Sequence, residues 1–169
     1  MLKSTLGIAI AFSLCAVAHA ANQGQGVVNF KGTVIDAPCG IAPESADQTI
    51  DFGQISKSLL TAGGISKAQD LDIKLVNCDT SITKGVTLTF SGNTVNGFAT
   101  ELETAGPTNT AIVINGYGSD ITFGQPTDNI KLTNGDNTLR FQSWVKQAST
   151  KTAAEGDFTA VANFNLAYE

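Results

Sequence analysis

The chain has 169 residues, 42% of them hydrophobic and 15% charged, with a formal net charge of −5. It contains no cluster of four or more basic residues, which argues against nucleic acid and anionic membrane surfaces as partners. The length suits one domain with a genuine core.

Residues 1–20 read as a signal peptide. Lys3 gives a positive start, Leu6 to Val17 is uncharged and mostly apolar, and Ala18-His19-Ala20 has the small-x-small pattern of a cleavage site. An apolar run of about 12 residues falls short of the roughly 20 needed to span a bilayer. Cleavage after Ala20 leaves a mature chain beginning at Ala21 and removes the only histidine, His19, and the only methionine. Ser-His-Asp, Cys-His and histidine-based metal sites are thereby excluded, so no catalytic residue, metal or cofactor is expected. The acidic pairs Asp70/Asp72 and Glu101/Glu103 are expected to be solvated strand faces rather than an active site. Cys39 and Cys78 remain. An even pair in an exported chain reads as one disulfide, with two buried free thiols as the alternative.

In chain order, the flexible stretch Gln23-Gly24-Gln25-Gly26 precedes an alternation in which Val28, Phe30, Gly32 and Val34 share one face and Asn29, Lys31 and Thr33 the other. This segment, 21–35, fits an ordinary first strand or a strand lent to another chain. Period-two alternation then predicts strands over Gln48 to Phe52, Gln69 to Val76, Gly85 to Ser91, Thr110 to Ile114, Thr138 to Lys146 and Phe158 to Tyr168. Ser56 to Leu60 has room for one helical turn, and 93–109, rich in Gly, Thr and Asn, is expected to be a loop. Trp144 falls on the polar face with Arg140, Gln142 and Lys146. Short strands separated by turn signals point to an all-β, immunoglobulin-like sandwich. In the last segment Phe158, Ala160, Ala162, Phe164, Leu166 and Tyr168 share a face. That pattern suits an open sheet edge or a final strand buried between two neighbours.

The residues resemble the pilins of chaperone–usher fimbriae, most closely the major subunits of P-pilus-type and related fimbriae. The likeness is carried by Gly24-Gln25-Gly26 through Val28-x-Phe30-x-Gly32-x-Val34, by Asp36-Ala37-Pro38-Cys39, by Ser45-Ala46-Asp47-Gln48-x-Ile50-x-Phe52-Gly53-Gln54, and by Leu75-Val76-Asn77-Cys78. Gly156, fourteenth from the end, and the penultimate Tyr168 also fit the family's C-terminal motif, whereas Glu169 stands where many relatives carry Gln. The resemblance implies an incomplete sandwich lacking its last strand and completed by donor-strand exchange. It implies residues 21–35 as a donor extension and 36–169 as the pilin domain, with Val28, Phe30 and Val34 filling groove pockets and Gly32 where room is shortest. Gly156, Phe158, Phe164, Leu166 and Tyr168 are then the acceptor-groove and chaperone-binding edge. The partners implied are identical or related pilin subunits, a periplasmic chaperone and an outer-membrane usher, and the destination is an extracellular fimbrium. A minor adaptor, a terminator and a sugar-binding module are the competing functions; the chain has no length for a second, receptor-binding domain.

Overall fold

The computed structural model describes residues 26–34 and 36–169. The signal peptide expected at 1–20 and the start of the extension at 21–25 lie outside the described residues. Residues 26–34 have no regular secondary structure, and the side chains of Val28, Phe30 and Val34 are exposed. Ile35–Glu169 forms one compact unit.

That unit contains, in order, β1 (Gly40–Ile41), the short helices α1 (Pro43–Ala46) and α2 (Lys57–Thr61), β2 (Gln69–Cys78) and β3 (Gly85–Ser91). There follow β4 (Thr94–Val95), β5 (Phe98–Glu103), β6 (Thr110–Gly116), β7 (Ser119–Asp120) and β8 (Ile130–Lys131). The chain closes with β9 (Gly135–Gln147) and β10 (Asn163–Tyr168). The larger sheet runs β1-β2-β9-β6-β5-β4, with β7 on β6, and the smaller runs β10-β3-β8. Every pairing is antiparallel.

Alternation decides which side chains meet between the sheets. Ile73 and Leu75 of β2, Leu139 and Phe141 of β9, and Val86, Leu88 and Phe90 of β3 are all buried, and they form one cluster with the two cysteines. Opposite faces of these strands carry Asp70, Asp72, Lys74, Arg140 and Gln142, as an antiparallel sheet with one wet side requires. Cys39 and Cys78 are joined by a disulfide, so the start of the unit is tied to the end of β2.

Four expectations need correction. Gln48 to Phe52 is not a strand: it has no sheet partner among the described residues. Only Asn163 to Tyr168 of the last expected strand is paired in a ladder, while the residues before it make a single bridge, Thr159 to Ala105. The stretch 93–109 is not a plain loop, because it supplies β4 and β5 to the larger sheet. Glu101 on β5 is correspondingly not solvated. It is 4% exposed, its Oε1 accepts from Lys146 Nζ at 2.6 Å and from Ser149 Oγ at 2.6 Å, and its Oε2 accepts from Ser149 N at 2.9 Å. Burial pushes its pKa up, but these hydrogen bonds and the Lys146 charge outweigh it and hold the carboxyl below the usual range. Glu103 is ion-paired with Lys151.

Candidate strand-acceptor groove

One edge of the smaller sheet is uncovered. β10 pairs with β3 from Asn163–Ser91 to Tyr168–Val86, and its other edge has no partner among the described residues. Along it exposure alternates: Asn163, Asn165 and Ala167 are exposed, while Phe164, Leu166 and Tyr168 are half-buried against the core cluster. A strand covered on both edges would take such side chains fully out of water, so the half-burial reports a missing neighbour.

The facing wall is built by the chain after α1. Up to Ala46 the polypeptide is stitched to β2: Ala42 N donates to Lys74 O at 2.9 Å, and Lys74 N donates to the buried Ser45 Oγ at 2.9 Å. Past Ala46 the stitching stops, save for a long contact from Gln48 Nε2 to Asp72 O at 3.4 Å. The stretch 47–52 therefore stands apart from β10, with main-chain groups free of backbone partners among the described residues. Between the two lies a cavity of about 650 Å³. Ile50 and Phe52 line one wall, Ala162 and Phe164 the other, and Ile112 and Ile114 of β6 lie on the floor. Phe90 steadies the Phe164 wall, its ring centroid 6.4 Å from that of Phe164.

A second cavity, of about 510 Å³, continues from Phe52. Phe52 and Phe158 frame it with ring centroids 6.5 Å apart, over Leu60 and Val145. Gly156 belongs to this rim. It has φ +136, and a Cβ there would lie 2.5 Å from Pro107 Cγ, so a side chain would push the rim open. Gly92 permits a comparable approach elsewhere, since a Cβ would meet Leu102 Cδ1 at 2.4 Å and Val161 O at 3.0 Å. At the far end of β10, burial raises the Tyr168 phenol above its usual pKa, and Tyr168 Oη lies 3.5 Å from Cys39 O.

The residues singled out from the sequence thus fall into separate parts. Phe164 lines the larger cavity, Gly156 and Phe158 the smaller, and Leu166 and Tyr168 pack against the core beyond both. Sequence reasoning missed the floor residues Leu71, Leu102, Ile112, Ile114 and Ser143, because nothing in a strand's alternation distinguishes a groove floor from a closed core. The opposite wall was visible only as the Gln48-x-Ile50-x-Phe52 alternation. No group of three or more His, Cys, Asp or Glu side chains is placed to hold a metal, and no helix is long and apolar enough to cross a membrane, among the described residues.

The family model for fimbrial protein matches residues 28–169. The chain is 49% identical to the Pap fimbrial major pilin protein of Escherichia coli over the full length of both. It is 45% identical to the Fimbria A protein of Serratia marcescens, covering 99% of this chain and 98% of that one. Among solved structures, a chaperone–usher pilus analysed for rod uncoiling superposes with a TM-score of 0.84 at 50% identity, over 90% of this chain and all of that one. The P pilus rod subunit PapA superposes with a TM-score of 0.75 at 49% identity, over 79% of this chain and all of that one. The open groove and these likenesses agree: the chain belongs to the fimbrial protein family and is a structural pilus subunit with an incomplete immunoglobulin-like sandwich.

Proposed function

We propose that the chain is the major, shaft-forming subunit of its fimbria and polymerises head-to-tail by donating its N-terminal strand. Residues 1–20 are removed on export, 21–35 are the donor extension, and 36–169 are the acceptor domain. Val28, Phe30 and Val34 enter the groove of the neighbouring subunit, with Gly32 between them. Gly156, Phe158, Phe164, Leu166 and Tyr168 belong to the accepting edge. The observation that carries this reading is the pair of uncovered walls, β10 and 47–52, standing over an apolar floor. A strand added there gains main-chain hydrogen bonds for strength and alternate side-chain pockets for specificity. Each Val or Phe it buries stabilises by roughly 1.5–3 kcal/mol. Donor and acceptor are different surfaces, so the contact does not close on itself and an open filament results.

In the periplasm a chaperone lends its own strand to the same groove, and at an outer-membrane usher the next subunit replaces it. The fibre is extracellular, and the role is structural rather than catalytic. A terminator is disfavoured by the two open cavities, since such a subunit has no use for a working acceptor. The test is to prepare a variant lacking 21–35 in complex with its chaperone and to add a synthetic peptide of that segment. The expected result is release of the chaperone and a large, peptide-dependent rise in thermal midpoint. A truncated body that is stable alone and indifferent to the peptide would overturn the proposal.

A further inference from the structure

We infer that the buried hydroxyl of Ser143 sets the register of the incoming strand, by requiring Gly32 of the neighbouring copy above it. The inference rests on the donor-strand reading. Ser143 occupies an inward position of β9, in the series Leu139, Phe141, Ser143, Val145, and is paired across the sheet with Ile114 of β6 and Gln69 of β2. It is 3% exposed, and its Oγ is the one buried side-chain oxygen or nitrogen without a hydrogen-bond partner among the described residues. The cavity it lines is floored by the apolar Leu71, Leu102 and Ile112, and neither the polar residues of its walls nor Gln69 beside it makes a hydrogen bond to that oxygen. An orphaned hydroxyl is costly wherever it is shut away from water.

Closing the groove with a strand makes that choice final. Alternation alone fixes only which face of the donor points inward; a slip of one residue is forbidden, but a slip of two preserves the pattern. The inward series of the donor is Val28, Phe30, Gly32 and Val34. Three of the four present hydrocarbon. Only Gly32 leaves space for a polar atom over Ser143, either its own main chain or a water lodged where the side chain is missing. One register therefore satisfies the hydroxyl, and the two-residue slips leave it orphaned beneath Val or Phe. The polar flaw in the floor and the gap in the donor are matched features.

The experiment uses fibres assembled from the full chain and reads their rate of dissociation in denaturant for Gly32→Ala, Ser143→Ala and the double variant. A methyl at position 32 displaces the polar partner, so Gly32→Ala is expected to speed dissociation about tenfold, whereas Ser143→Ala alone removes donor and acceptor together and changes it less than about threefold. The double variant should dissociate at least about threefold more slowly than Gly32→Ala alone. Val145→Ala combined with Gly32→Ala should give no such rescue. Additive effects, or equal rescue by Val145→Ala, overturn the inference while leaving donor-strand assembly intact. If Gly32→Ala makes no fibres, recovery of fibres with Ser143→Ala supports the inference and continued failure overturns it. Absence of fibres from the unaltered chain would overturn the assembly reading itself, and this inference with it.

Discussion

The β2–β9 pair and the β10 edge carry the same kind of sequence and end in different states. β2 and β9 are paired from Gln69–Ser143 to Leu75–Asn137, each flanked on its far side by another strand, and Ile73, Leu75 and Leu139 are fully buried. β10 alternates as strictly, yet Phe164, Leu166 and Tyr168 stay half-exposed because, among the described residues, only one edge is paired. Alternation declares a strand's inner face; coverage depends on who stands beside it. The half-buried face is thus stored capacity for hydrophobic burial, realised when another strand arrives.

The comparison can be broken most forcefully at the disulfide. Replacing Cys39 and Cys78 by Ser unties the start of the folded unit from the end of β2, at a cost of about 4 kcal/mol in the chain-entropy picture; chemical denaturation of chaperone-released subunits measures it. Leu75→Ala, in the closed region, should cost about 3 kcal/mol whether the subunit is free or assembled, because its surroundings are complete in both states. Leu166→Ala should behave differently: about 1 kcal/mol in a free subunit, approaching the value for Leu75 in fibres, by comparison of their denaturant midpoints. Equal costs in both states would mean that the open edge is already covered.

Glu101 provides an electrostatic version of the test within the closed sheet. Its carboxyl titrates below the usual 4.5, so the stability it contributes is fully present above about pH 4.5 and drains away as the pH falls through the folded value. Glu101→Gln should flatten that acid limb, seen as a smaller drop in urea midpoint between about pH 7 and pH 3 than the unaltered chain shows. The smallest effect is expected on the groove rim, where the exposed ion pair between Lys57 and Glu155 spans 3.5 Å; Glu155→Ala should change stability by less than about 0.5 kcal/mol.

The same contrast explains what could be read in advance. The strands at Gln69–Cys78, Gly85–Ser91 and Gly135–Gln147 were legible because their alternation is clean, and Thr110–Gly116 as a short apolar run buried on both faces. The one helical turn expected near Ser56 to Leu60 corresponds to α2 at Lys57–Thr61. Gln48 to Phe52 and the residues leading into β10 alternate equally well, but pairing needs a neighbour, and periodicity carries no information about that. β5 was illegible for another reason: only Leu102 of it faces the core, and on the opposite face Glu101 is buried by an ion pair with Lys146, which lies on a strand far along the chain. Ser143 hid in the same way, as a polar residue inside an apolar series.

The disulfide also has a mechanical consequence. Tension applied through the N-terminal segment enters the folded unit at Asp36 and reaches Cys39 three residues later. There the covalent bond shunts the load past β1, α1 and α2 directly to Cys78. That residue terminates β2, which is held along its length by an antiparallel ladder with β9. Residues 40–77, the wall at 47–52 among them, lie inside the covalent loop, so pulling on the N-terminal segment cannot unravel them from that end while the disulfide holds.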